Sequence, residues 1–453
     1  MLWLQGKGGS KGVAQLHSLL RMREANMLGH NGGFNAPERC HLGAHMFRPN
    51  FPVELIDRMQ SRAYIGQFSA EGDVFIAAFQ HDRRIRVYET ENSWRLRKNV
   101  HCRNLRWTVT DTCLSPDQQF LLYASINPTV HMVNMRTGAV ESEANVTDIH
   151  EALHFDVMDN EGASDYHHSF GIWSLRWGAD GREVVAGTGD HSLYVYNMER
   201  QKTVLRITGH QDDVNAVAFM DESSHIIASG SDDTLIKASS HHHLFSHRAK
   251  PAGVLVGHSE GLTHLDSKGD GRYLLSNSKD QTARLWDVRK MYSSHEYSRL
   301  PRPTIPSFGN WDYRWADFPA RGYIVPHPQD VSVQAFRGHS VLQTLIRAYF
   351  SPAHTTGQRY VYTGSADGSV RIYDIVTGRT VDQLRYHHEI VRDLSWHPSE
   401  PMLVTTSFDG SVVQWEPCRL HPGSDDDDVA ETKPVRRRAL PDDPGDDRLE
   451  DFY

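Results

Sequence analysis

The chain is poor in cysteine, and the cysteines it has are unpaired. Cys40, Cys102, Cys113 and Cys418 are the only four in 453 residues, and none belongs to a C-x-x-C pair. This excludes a cysteine zinc cluster and a disulfide framework, and it points to a reducing compartment, the nucleus and/or the cytoplasm. A basic excess is also missing. The formal net charge is −9, which argues against direct nucleic-acid binding, because neutralising phosphates needs a cationic footprint. No apolar run approaches the ~18 residues of a membrane span, so no membrane contact is expected. The N-terminal MLWLQGKGGSKG lacks the apolar stretch of a secretory signal. Catalytic signatures are scarce too. GKGGSKG (6–12) lacks the spacing of a phosphate-cradling loop, and neither a nucleophile elbow nor a zinc-protease helix is expected. The cluster His241, His242, His243 and His247 has no carboxylate or cysteine at ligand spacing. The chain therefore reads as a non-enzyme without metal or cofactor.

What the chain does contain is a repeat. Its 34 Gly, 10 Trp and 17 Tyr suit many short strands joined by turns. The clearest unit is GLTHLDSKGDGRYLLSNSKDQTARLWDVRK (261–290), in which Asp280 stands six residues before Trp286. The same interval separates Asp82 from Tyr88, Asp190 from Tyr196, Asp367 from Tyr373 and Asp409 from Trp415. Two copies are degenerate, with Asn127 before Val133 and Asp233 before Ser239. An even interval keeps the aromatic on a fixed face of a period-two strand, with the Asp in the turn that precedes it. A Gly-His pair opens several units, at Gly209-His210, Gly257-His258 and Gly338-His339, and His387 holds the same place in the last copy. First strands are expected near residues 62, 107, 172, 213, 261, 343 and 391. Seven units of this size predict an all-β, seven-bladed WD40-repeat β-propeller.

The propeller is expected over 38–419, with an acidic, His-containing insertion at 144–169 and a Pro-rich one at 291–336. The last unit supplies three strands before the chain runs into HPGSDDDD. An open outer edge would be a liability, so ERCHLGAHMF (38–47) is expected to provide the closing strand. The extension 1–37 contains a helix over 11–28, with Val13, Leu16, Leu20 and Met27 on one face; it packs on the propeller or docks on a partner. The tail 420–453 combines Asp425–Asp428 with the basic run KPVRRR (433–438) and predicts disorder. The basic run also has the composition of a nuclear import signal.

The stretches DDVNAVAFMDESSHIIASGSDD (212–233), KPAGVLVGHSEGLTHLDSKGDGRYLLSNSKDQTARLWDVRK (250–290), NWDYRW (310–315) and GHSVLQTLIRAYFSPAHTTGQRYVYTGS (338–365) resemble the plant LEC-fourteen-B proteins and their animal relatives, the WD-repeat protein 23 type of cullin-4-associated factor. The resemblance covers most of 10–418. It implies a substrate receptor of a cullin-4 RING ubiquitin ligase, which binds the ligase's damaged-DNA-binding adaptor through a WD-x-R box and presents an unidentified substrate protein. Carried over, the adaptor-binding box is Asp280, Trp286, Asp287 and Arg289. An exposed Arg at a blade corner suits an interface; the plainer reading is that Asp-x-Arg only braces a turn. The resemblance also implies that His258, Ser276, Asp280 and Trp286 form a buried structural network, with His210, Asp233, Asp190, Asp367 and Asp409 in like places. The preceding unit departs from the pattern, since Ser239, Ser240 and His242 replace its Trp, Asp and Arg. Trp311-Asp312-Tyr313-Arg314 also spells WD-x-R, but no turn Asp precedes it by six residues. A general WD-repeat scaffold in another nuclear or cytoplasmic complex is the alternative function.

Overall fold

The computed structural model describes residues 47–418 except 92, 136–149, 156–169, 222, 241–250, 302–310 and 320–326, together with Cys40, Ala44 and the backbone of Arg436–Arg437. The expected helix over 11–28, most of the loop 144–169, the His241–His247 cluster and nearly all of the tail lie outside the described residues.

Seven antiparallel sheets follow one another around a ring. Blade one is Ala63–Phe68, Val74–Phe79, Arg84–Glu89 and Arg95–His101. Blade five is Leu262–Ser267, Tyr273–Ser278, Thr282–Asp287 and Gln334–Arg337, so the second insertion separates its third and fourth strands. Central strands are buried on both faces because neighbouring blades cover them: Val74–Phe79 and Thr282–Asp287 are buried throughout. Outer strands such as Thr380–Arg385 face water and carry charge. The core lies between blades. One cluster joins blades two and three through Leu122, Phe155, Leu175 and Tyr196, and another joins six and seven through Tyr362, Leu394 and Trp415.

The closing strand is Phe51–Arg58, not 38–47. It pairs antiparallel with Ser411–Glu416 and makes the fourth strand of blade seven. Within 38–47, Cys40 and Ala44 have helical backbone. Residues four apart share one helical face, and Ala44 is buried against blades six and seven while its carbonyl accepts the Tyr360 hydroxyl at 2.8 Å. Neither Cys40 nor Ala44 belongs to a strand of the ring. Beyond the closing strand, Arg436–Arg437 pairs in parallel with Glu54 and Leu55.

Charge also ties the ring together. Asp57 of the closing strand accepts two bonds from Arg86 Nη1 of blade one, at 3.1 and 2.9 Å, and one from the Tyr88 hydroxyl. Near the axis, Asp111 of blade two accepts from Arg347 Nη2 of blade six at 2.6 Å and from Arg176 Nη1 of blade three at 2.8 Å. Arg347 Nη1 reaches Asp393 of blade seven at 3.1 Å. Side chains from four blades thus meet across the ring, and the two Arg176 and Arg347 cations hold the Asp111 carboxyl well below the usual range against the opposing effect of burial.

Candidate protein-docking site

The third strand of blade five carries the site, and its position is fixed by a buried network. His258 Nδ1 donates to Asp280 Oδ2 (2.8 Å), and its Nε2 accepts from Ser276 Oγ (2.6 Å). Ser276 Oγ in turn accepts from Trp286 Nε1 at 2.7 Å. The other Asp280 oxygen accepts from the backbone and hydroxyl of Thr282, at 3.0 and 2.6 Å. Every polar group of the set has a partner, the condition under which a buried network stabilises. Burial alone would raise the Asp280 carboxyl; His258, then Arg284, outweigh it and hold it below its ordinary range. Burial keeps His258 neutral by lowering its pKa.

Asp280 and Trp286 are inaccessible, so within the WD-x-R box they position the strand and offer no surface to a partner. The accessible member is Arg289, whose side chain is 66% exposed. Asp287 ends the strand and caps the single turn Val288–Lys290. Its Oδ1 accepts Arg289 N (3.1 Å) and Nε (3.0 Å), and its Oδ2 accepts Arg289 Nη2 (2.8 Å). The two guanidinium bonds to one carboxylate fix its plane before any partner arrives, which lowers the entropy cost of binding. The Arg289 bonds hold the Asp287 carboxyl well below its usual range.

Other blades vary this plan. Blade seven repeats the network with Thr405 for the serine: His387 Nε2 accepts from Thr405 Oγ1 (2.7 Å), which accepts from Trp415 Nε1 (2.9 Å), and Asp409 lies 3.3 Å from His387 Nδ1. Blade four keeps His210, Ser229 and Asp233, at 2.8 and 2.9 Å from the imidazole, but has no indole. Ser239 sits there buried, with a hydroxyl that has no partner. Asp190 bonds Tyr194 (2.6 Å) and Arg206 (2.8 Å), with no histidine. In blade six, His339 bonds Tyr373 and Asn277, while Asp367 caps the turn at Ser369.

The Trp311–Arg314 segment reproduces the Asp-x-Arg clasp without the strand. Asp312 Oδ1 accepts Arg314 N at 2.9 Å and Nε at 3.0 Å. It lies on the opposite face of the ring from Arg289, where the Asp turns gather: Tyr313 O accepts Gln343 N (2.8 Å), and the Tyr313 ring faces Lys279 Nζ at 4.2 Å. Trp315 beside it is 87% exposed.

Two catalytic signatures are spelled in the chain after all, and the fold disarms both. His150-Glu151-Ala152-Leu153-His154 reads H-E-x-x-H, but it forms an outer strand. Over four strand residues the histidines stand roughly 13 Å apart, whereas a shared zinc needs the helical spacing. Gly257-His258-Ser259-Glu260-Gly261 reads G-x-S-x-G, but it leads into the first strand of blade five instead of turning from a strand into a helix, and its histidine belongs to the buried network.

Sequence reasoning missed two groups. The axial set Asp111, Arg176, Arg347 and Asp393 follows no local spacing. Arg272, one residue before the second strand of blade five, bonds Asp287 Oδ2 through Nε (3.2 Å) and Nη2 (3.1 Å); its only signal is its place in the repeat, which Arg359 shares in blade six.

Five stretches, 163–197, 201–237, 249–287, 330–374 and 378–416, match the WD domain, G-beta repeat family. The LEC14B protein of Lithospermum erythrorhizon is 49% identical over 88% of this chain and 81% of its own length. The LEC14B homolog of Prunus armeniaca is 46% identical over 95% and 87%. The DDB1- and CUL4-associated factor 11 homolog of Caenorhabditis elegans is 34% identical over 80% of this chain and 62% of its own length.

Proposed function

This chain belongs to the LEC14B family of WD-repeat proteins, and on that premise we propose that it is a non-catalytic substrate receptor of a cullin-4 RING ubiquitin ligase, acting in the nucleus and/or cytoplasm. It docks on the damaged-DNA-binding adaptor through the Arg289 corner and presents a substrate protein for ubiquitination. The observation that carries this reading is the Arg289 guanidinium, exposed and held by two bonds to the Asp287 carboxylate, which also accepts the Arg289 backbone N–H. The similarity to a relative named as a DDB1- and CUL4-associated factor supplies the partner. Asp287 is the positioning residue, and Asp280 and Trp286 act through the strand.

The test is co-purification from cells of the wild-type chain and an Arg289→Asp variant, probed for the adaptor. Adaptor on the wild type and its loss from a variant that melts normally is the expected result. Equal recovery with both, or none with the wild type, overturns the proposal. A general WD-repeat scaffold is the second reading. It is favoured by blade four, where Ser239, Ser240 and His242 leave no second Arg-bearing corner.

A further inference from the structure

We infer that Arg272 is a second anchor of the docking corner, and that with Lys268, Arg289 and Lys290 it forms a cationic face fitted to an acidic protein surface. The inference rests on the adaptor-docking reading and names the chemistry of the partner at that site.

The four cations come from two segments. Lys268 and Arg272 flank the turn between the first and second strands of blade five, and Arg289 and Lys290 follow its third strand. Asp287 joins the segments: its Oδ2 accepts both Arg272 and Arg289. The Tyr273 ring organises the same side. Arg272 Cζ lies 4.6 Å from its centroid and Lys268 Nζ lies 5.3 Å from it. Such contacts hold flexible cations over an aromatic face.

Of the two acids nearest this charge, Asp287 is withdrawn from the surface while Asp270 stays exposed. The Asp287 side chain is only 6% exposed, against 41% for Arg272 and 66% for Arg289. Asp270 spends one oxygen on the backbone N–H groups of Arg272 and Tyr273, both at 2.9 Å. Among the described residues, no carboxylate pairs with Lys268 or Lys290. A partner therefore meets positive charge on a protein whose net charge is −9. Complementary charge of this kind steers association and fixes register. In blade four the sequence puts Ser239, Ser240 and His242 where a second Trp-Asp-x-Arg corner would stand, so the adjoining surface that could share the load is this one.

Bracing is the competing role for Arg272. In blade six, Arg359 Nε grips Asp374 at 2.9 Å although Val376 stands where Arg289 would. The two roles separate in a binding experiment with the full chain and purified adaptor, read as Kd over a series of salt concentrations. Arg272→Ala is expected to weaken binding roughly tenfold, Arg272→Glu about tenfold more, and Arg272→Lys to recover part of the loss, with melting unchanged in all three. Lys268→Glu is expected to weaken binding in the same direction, and each loss to shrink as salt rises. Equal losses for Arg272→Ala and Arg272→Glu with the wild-type salt dependence overturn the inference in favour of bracing, as does wild-type affinity in Arg272→Ala. Absence of adaptor binding by the wild type overturns the receptor reading itself.

Discussion

Two serines one blade apart show what a single oxygen does in this fold. Ser276 Oγ serves two buried groups at once, the His258 imidazole and the Trp286 indole. Ser276→Ala leaves the His258 Nε2 and the Trp286 indole N–H without a partner, and an orphaned buried polar group costs about 1–3 kcal/mol. Ser239 is as deeply buried, but its hydroxyl serves nothing. Ser239→Ala is therefore expected to be neutral or to stabilise by up to about 1 kcal/mol. Urea unfolding midpoints at constant m compare the two directly; a larger loss for Ser239→Ala than for Ser276→Ala would contradict the network description. The contrast was partly legible in the sequence, because the six-residue interval places Trp286 and Ser239 at equivalent strand positions. The 3.3 Å bond from Ser229 Oγ to the Lys237 carbonyl does not replace the indole, because Thr405 makes the equivalent bond to the Val413 carbonyl at 3.4 Å beside an intact Trp415.

The strands themselves were legible wherever alternation and turns are regular. First strands begin at Ala63, Ile172, Val214, Leu262 and Val391, within a residue of expectation. Blades two and six begin at Thr112 and Ala348, five residues later than expected. In both, a residue in left-handed backbone, Trp107 (φ 76°) or Gln343 (φ 64°), interrupts extension just where pairing was expected to start. The closing strand was misplaced for a different reason. Its partner lies at the far end of the chain, and a local pattern cannot choose between two segments that both precede the first blade. Asp57 is what binds the choice made here to blade one. Asp57→Ala removes a carboxylate that the buried Arg86 and Tyr88 both bond, and breaking a buried ion pair from one side costs about 3–5 kcal/mol. Chemical denaturation should show that loss, and hydrogen exchange should show it concentrated in the closing strand and blade one. Wild-type protection there would mean that backbone pairing alone closes the ring.

Across the whole molecule, buried histidines link the ring's stability to pH. His210, His258, His264, His339 and His397 come from four different blades, and burial lowers the pKa of each, that of His339 to about 4. A histidine with a folded pKa below its unfolded value of ~6.5 contributes stability that is full above that value and lost as pH falls towards the folded pKa. Asp266 works in the opposite sense: burial raises its carboxyl to about 6, so the folded state binds that proton first and offsets part of the loss. Asp280, Asp233 and Asp409 have lowered pKa values, so their contribution persists until pH falls below the unfolded carboxylate range near ~3.9. The histidines therefore dominate between about pH 6.5 and 4. Thermal melting followed by circular dichroism is expected to show a falling Tm across that window and little change from pH 7 to 8. A Tm that holds level down to pH 4.5 would mean that the imidazoles become charged without strain, each taking a second proton on the ring nitrogen that in the neutral form accepts a hydrogen bond.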